Sequence, residues 1–470
     1  MPQPNLLFLI CDQLQKRALQ TFGGQAPSPT YQRLADRGAL FERCYCAAPL
    51  CVPTRASMMT GLFPFAHGAI CFGEGFDTLR PDAELLCDRL LDAGYHVGYH
   101  GMWHLHAAKG RDRTGEFAHF EQERFPYQYA NDAVERAGLD PGKVLRAPVR
   151  TVADDGEVLD WTFSIPTPVR YEEPIDTHMD MNAAHTMAAF LRDAPADKPF
   201  AAWCSIGAPH PPLVVPEPYF SMFRAEDMRP PASFTSLPAN EPRGVSECPG
   251  RQCVRDWTWE QWAPCVAAYL GYAAFADSCM GVVLDALDAT GRADDTIIVA
   301  VSDHGEMLGA HRLYQKEMPF ENAANVPLAI VGPGVTPGRR AQLAMQVDLA
   351  PTILDLLGLE PLPHTHGRSL RDVLADPNAP TRDFIISTFD GEIRGGFHWR
   401  AAIGPRYKYI FHGEGAEQLF DPHADPDEIH NLIDDADHAP GRDALRQSLR
   451  QWMRDHDDPM RDTFESAVKR

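Results

Sequence analysis

The chain has no surplus of positive charge. Its 43 Lys and Arg stand against 65 Asp and Glu, a formal net charge of −22. That balance excludes general nucleic-acid binding, which needs a basic footprint. Any anionic substrate must therefore meet a local concentration of cations. A disulfide framework is also missing. The 11 cysteines are odd in number and scattered, many in apolar runs such as those around Cys11, Cys87, Cys204 and Cys279. This is the pattern of reduced thiols in a cytoplasmic protein. Cys248 and Cys253 are spaced for half of a zinc site, but no second pair accompanies them. No basic stretch or cleavage signal precedes the first apolar run, and residues 5–11 are too few to span a membrane. The expectation is a protein with no membrane partner. Internal repeats and long low-complexity segments are lacking too.

What is present is ample apolar material: 470 residues, 44% of them hydrophobic and 10% aromatic. That supports one large domain, read as residues 1–375, and a smaller one over 376–470. Residues 5–11 are a continuous apolar run, as expected of a strand buried on both faces, and 95–100, 199–206, 296–302 and 326–331 read as further strands. Helical patterns lie between them at 30–40, 81–93, 178–193, 264–290 and 348–358, the last with Asp348 as its N-terminal cap and Gly358 as its stop. The alternation predicts an α/β fold with a large, mixed but mostly parallel sheet sandwiched by helices. Beyond residue 376 the pattern changes. Strands at 383–389, 398–403 and 407–412 and a helix over 442–455 predict a small antiparallel sheet with a helix on it. Residues 107–175 read as loops and 216–262 as a Pro-rich segment. Both are expected to line the substrate pocket, with Trp257, Trp259 and Trp262 as a packing cluster.

The stretch Cys51-Val52-Pro53-Thr54-Arg55 sets a reactive residue, a rigid turn and a cation within five positions, just before a helical run. Such a helix start favours anions. Read alone, it is the thiolate nucleophile of a hydrolase. Strand ends then carry further chemistry: Asp12-Gln13, His104, His210 between prolines, Asp303-His304 and, in the next loop, Lys316. Ligands bind beyond the carboxyl ends of strands in such sheets. Taken singly, Asp12 suits a turn as well as a metal, and His104, His210 and Lys316 suit an ordinary surface or loop. Together, two distant carboxylates and a histidine can bind one divalent cation, and mixed O and N donors suit Ca²⁺ or Mn²⁺.

In combination these residues resemble the sulfatase family of the alkaline phosphatase superfamily, over nearly the whole chain. The resemblance rests on Leu-Phe-Leu-Ile-Cys-Asp12-Gln13, Cys51-Val-Pro-Thr-Arg55 with Ser57 and Thr60-Gly61, and Gly101-Met-Trp-His104. Ser302-Asp-His-Gly-Glu306, Arg406-Tyr-Lys-Tyr409 and Leu419-Phe-Asp421 complete it. It implies an alkaline phosphatase-like fold and conversion of Cys51 to formylglycine by a formylglycine-generating enzyme that reads Cys-x-Pro-x-Arg. The hydrated aldehyde then attacks a sulfate or phosphate ester, and collapse of the hemiacetal releases the anion. The resemblance implies Asp12, residue 51, Asp303 and His304 as metal ligands. It gives Arg55 as the residue orienting the diol and His104 as the residue assisting collapse. His210 and Lys316 would contact the transferring group and the leaving oxygen.

Three positions depart from the family pattern. Gln13 stands for a second Asp, His304 for Asn and Met102 for a lysine that contacts sulfate. Gln13 and Met102 are carried as substrate-side positions. The expected activity is sulfate-ester hydrolysis on a small molecule, with phosphonate monoester or phosphodiester hydrolysis as the alternative. A catalytically silent binding homologue is a third reading, and a homo-oligomer is expected.

Overall fold

The computed structural model describes residues 3–73, 75–238, 240–391 and 396–468. In chain order its strands are β1 (Asn5–Asp12), β2 (Ala39–Tyr45), β3 (His96–Gly101), β4 (His119–Gln122), β5 (Arg146–Val152), β6 (Val158–Ser164), β7 (Pro168–Tyr171), β8 (Phe200–Pro209) and β9 (Leu213–Pro216). They continue as β10 (Thr296–Ser302), β11 (Asn325–Val331), β12 (Gly338–Arg340), β13 (Ala344–Met345), β14 (Ile385–Asp390), β15 (His398–Ile403), β16 (Lys408–His412) and β17 (Glu417–Phe420).

The main sheet runs β12-β2-β11-β10-β1-β8-β3-β4, with β13 also on β2. β10, β1, β8, β3 and β4 are mutually parallel, and β11 is antiparallel to both its neighbours. β1, β8, β10 and β11 are buried throughout, which explains why they read as unbroken apolar runs. Alternation sends successive residues to opposite faces. Leu6, Phe8 and Ile10 join one core with Trp203, Val299 and the helix Cys51–Thr60. Leu7, Leu9 and Cys11 join another with the helices Met179–Asp193 and Trp259–Ala289. The second of these helices is long and apolar enough to cross a membrane, but 83% of its most apolar window is buried. A helix apolar all round is a core helix when it is covered on every side.

The late strands form the expected antiparallel sheet, β14-β15-β16-β17, with the helix Ala439–Asp455 packed on it. This sheet also anchors two segments of the main unit. β14 receives the chain just before Cys51: Thr388 N–H donates to the Ala47 carbonyl (2.8 Å) and Ser387 Oγ to that of Cys46 (2.9 Å). On β15, Trp399 Nε1 donates to the carbonyl of Glu317 (2.8 Å), next to Lys316.

Several expectations are corrected. The helix over 30–40 ends at Arg37, and Ala39 and Leu40 open β2, because Gly38 backs onto the Ile330 carbonyl where a side chain would collide. The helix expected from Pro81 begins at Leu86. Residues 107–175 are not plain loops: they contribute β4 to the main sheet and the β5–β6 hairpin. Asp348 does not cap its own helix. Its carboxylate accepts from Met345 N–H, Arg368 N–H and the Arg382 guanidinium. The zinc half-site is absent among the described residues. Buried Cys248 and Cys253 donate instead to the carbonyls of Val245 and Gly250.

Lys408 is buried between Glu321 and Glu428, with Nζ–O distances of 2.6 and 2.7 Å, and donates to the Pro319 carbonyl (3.0 Å). Burial pushes Glu321 upward, but Lys408, Arg17 and Lys16 outweigh it and hold its carboxyl well below the usual range. Removing the ammonium strands two buried carboxylates. Lys408→Met is therefore expected to destabilise the fold by about 3–5 kcal/mol, read as a lower urea midpoint at neutral pH. An unchanged midpoint would mean that the joint does not depend on this ion pair.

Candidate active site

Each predicted site residue except Met102 brings its side chain to the carboxyl end of the parallel strands. Register does the first part of the work. Cys11 pairs with Ser302, and Asp12 with Pro209, so Asp12, Asp303 and His210 emerge side by side. The helix Cys51–Thr60 enters from the opposite face. All ten of its residues are buried, and its N-terminus has no side-chain cap, so its free N–H groups and dipole favour an anion there. Arg55 lies one turn along on the same face.

Asp12, Cys51, Asp303 and His304 offer ligand atoms all within 4.8 Å of one another, each side chain fully buried. Cys51 Sγ lies 3.1 Å from His304 Nε2 and 3.6 Å from Asp12 Oδ1. His304 Nδ1 donates to the Gly305 carbonyl (3.0 Å), which leaves Nε2 as the lone-pair nitrogen facing the cluster. Burial lowers His304 to about 3 despite the Asp303 charge, so the ring is neutral, as a ligand must be. Burial and the Asp303 charge push Asp12 upward. Two carboxylates, a neutral imidazole and residue 51 converge with their ligand atoms within 4.8 Å of one another, and this mixed O and N set fits one divalent cation. Burial and Asp12 also push the Cys51 thiol well above its ordinary value. A plain thiolate nucleophile is disfavoured by the same surroundings.

Arg55 organises the carboxylates. Its Nε meets Asp303 Oδ2 at 2.9 Å and its Nη2 meets Asp12 Oδ2 at 3.1 Å. Its Nη1 donates to Ser205 Oγ (2.8 Å) and to the Met102 carbonyl. Met102 thus serves through its backbone. Its side-chain methyl lies towards Gly207, and it does not line the cavity. Gln13 does not stand in for a metal ligand. Its Oε1 accepts from Lys316 Nζ (2.8 Å), and its Nε2 donates to Glu306. Lys316 Nζ also donates to His210 Nε2 (3.1 Å), because His210 Nδ1 is committed to the Pro211 carbonyl. Burial opposes the Lys316 ammonium, but Asp12 and Asp303 hold it charged. His104 is neutral, lowered to about 3 by burial and then Arg55, and its Nδ1 is buried without a hydrogen-bond partner.

Above this floor is a cavity of about 310 Å³ lined by Cys51, Phe72, His104, Phe125, Tyr127, Arg146, residues 161–164, His210, Gln315 and Lys316. Its walls come from the 107–175 segment. No described residue of 216–262 lines it: Trp257, Trp259 and Trp262 pack with Phe163 and Tyr314. Glu306, whose Oε1 accepts from the N–H groups of Leu308 and Gln315, and Gln346, which donates to the carbonyls of Ser302 and Asp303, are further organisers. Glu306 was visible in its motif. Gln346 and the pocket aromatics carried no comparable signal. A separate cluster of His100, His119 and Glu121 lies on β3 and β4, where His100 bonds His119 (3.2 Å) and Glu123 (3.1 Å).

A parallel sheet that gathers such a cluster at its strand ends defines an alkaline phosphatase-like hydrolase fold. The chain belongs to the sulfatase family, whose profile matches residues 4–359. A second profile, N-sulphoglucosamine sulphohydrolase, C-terminal, matches residues 309–455. An arylsulfatase of Clostridium perfringens is 28% identical over 468 residues, covering 95% of this chain and 94% of the relative. A choline-sulfatase of Rhizobium meliloti is 27% identical, covering 99% and 89%. The crystal structure of the phosphonate monoester hydrolase of Agrobacterium radiobacter shares the fold, with a TM-score of 0.77 and 24% identity over 97% of this chain and 96% of that one.

Only a planar fork can bridge Asp12 and Asp303 and still reach Ser205 and Met102. Arg55→Lys is expected to weaken divalent-cation binding about 10–100-fold, measured by calorimetric titration. Unchanged affinity would remove Arg55 as the organiser of the cluster.

Proposed function

We propose that this protein hydrolyses a small-molecule sulfate ester. The observation that carries the reading is the convergence of Asp12, Asp303, His304 and residue 51 under a pocket whose far side is the Lys316–His210 pair. Asp12, Asp303, His304 and residue 51 would hold one divalent cation, Ca²⁺ or Mn²⁺. With formylglycine at position 51, this assembly supplies an oxygen nucleophile and neutralises charge on the transferring group. The buried Nδ1 of His104, unpartnered on a residue that lines the same cavity as residue 51, supports a further polar group there.

The chain's own residues supply the rest. Arg55 fixes both carboxylates and lends its charge to the helix start. Gln13 and His210 aim the Lys316 ammonium into the pocket, where the transferring group and leaving oxygen gain negative charge. Neutral His104 is suited to accept a proton during release. The modification requires a formylglycine-generating enzyme as partner. The scatter of eleven buried cysteines supports a cytoplasmic location. A homo-oligomer completes the reading.

The second reading, a phosphonate monoester or phosphodiester hydrolase, is favoured by Gln13, an uncharged amide spent on Lys316. An aryl sulfate, an aryl phosphonate and a bis-aryl phosphate would separate the two. The sulfate is expected to have the highest kcat/KM, and a higher value for either phosphorus ester overturns the first choice. Peptide mass spectrometry is expected to find formylglycine at position 51, and elemental analysis to find Ca²⁺ or Mn²⁺. Unmodified cysteine with no metal would favour a silent homologue. Cys51→Ala is expected to lower kcat/KM by at least about 10³-fold, the scale on which loss of a nucleophile acts.

A further inference from the structure

The reaction centre leaves the alcohol part of the substrate open, and the cavity above it bears on that choice. Its walls are aromatic: Phe72, Phe125, Tyr127, Trp161 and Phe163. Among the described residues, no Asp or Glu lines it, in a chain where acidic residues outnumber Lys and Arg by 22 (65 against 43). Two lining residues are permanent cations, Lys316 and Arg146. Lys316 is engaged by Gln13 and His210. Among the described residues, Arg146 has no ion pair and no side-chain hydrogen bond; its guanidinium lies 5.9 Å from the centre of the Tyr127 ring.

Arg146 is held in register with the reaction centre. It opens β5 and pairs with Ser164 at the end of β6. Ser164 Oγ accepts from Gln315 Nε2 (3.1 Å), and Gln315 precedes Lys316. The hairpin is thus tied to the loop that carries the Lys316 ammonium, and the two cations stand at different places on one small cavity.

These observations weigh against a cationic alcohol. An aromatic cavity can take a quaternary ammonium, but here the Tyr127 face carries a guanidinium already and no carboxylate offsets the like charge. An exposed guanidinium fork with no partner among the described residues, on an aromatic cavity with no acid among its described lining, matches a planar or tetrahedral anion. We propose that Arg146 is the specificity-determining residue for a substrate whose alcohol is an aryl- or sugar-sized ring bearing a second anionic group, a carboxylate or a further sulfate. The proposal rests on the hydrolase reading for the first anion, whereas the Arg146 subsite is testable without turnover.

Calorimetric binding of 3-hydroxybenzoate, 3-hydroxybenzamide and 3-hydroxyphenyltrimethylammonium, all shaped like the leaving alcohol, measures the subsite directly. Wild type is expected to bind the benzoate about 10–100-fold more tightly than the amide, the scale of a hydrogen bond to a charged group. Arg146→Met is expected to close that gap, and Arg146→Lys to restore part of it. Equal binding of benzoate and amide, a gap that survives in Arg146→Met, tighter binding of the ammonium, or benzoate affinity weaker than about millimolar each overturns the proposal. The corresponding aryl sulfates, assayed in parallel, keep the two readings apart. A benzoate preference without sulfate hydrolysis removes the sulfatase reading and leaves the subsite, while sulfate hydrolysis without the preference does the reverse.

Discussion

Everything at the reaction centre depends on the Arg55 guanidinium lying between Asp12 and Asp303. Two carboxylates wholly removed from water repel each other and resist ionisation. One planar cation that bonds both, and is itself held by Ser205 and the Met102 carbonyl, keeps them at a fixed separation. The cluster then faces His304 Nε2 and residue 51 with its remaining oxygens. Because Arg55 sits on the helix that starts at Cys51, placing that helix also places residue 51 against the carboxylates.

The rest of the molecule supports this arrangement. β14 and β15 hold the chain before Cys51 and the carbonyl after Lys316. Glu317 N–H also donates to the Pro49 carbonyl (3.0 Å), so the two approaches to the site are joined. The small antiparallel sheet is therefore part of the machinery that sets the distance between residue 51 and Lys316. Positive charge is rationed in a chain this acidic. Arg55 is held by the carboxylates, Lys316 by Gln13 and His210, and Arg146 stands at the pocket wall.

Much of this was legible in the sequence. The buried strands announce themselves as apolar runs, because a parallel strand covered on both faces cannot alternate. Asp12, His210, Asp303 and His304 could be read as site residues because the chain stops being apolar at those points. The misses share a cause. Gln13 and Met102 sit where the pattern puts substrate contacts, but the direction of a side chain and the use of a backbone carbonyl are not sequence properties. β4 is short, and β4, β5 and β6 are largely exposed strands whose identity comes from the neighbours they pair with.

The sequence by itself determined the family and the main sheet, and it named the residues that the fold gathers at the strand ends, since burial and motif spacing act locally along the chain. Tertiary structure alone decided how those residues are used. Arg55 reaches Asp303 across 248 positions, and Lys316 reaches Gln13 across 303. Contacts over such separations follow from strand order and register, which bring distant strand ends together. The same register made Gln13 a lysine anchor, while the separate β5–β6 hairpin, tied to Gln315 through Ser164, set Arg146 at the pocket wall.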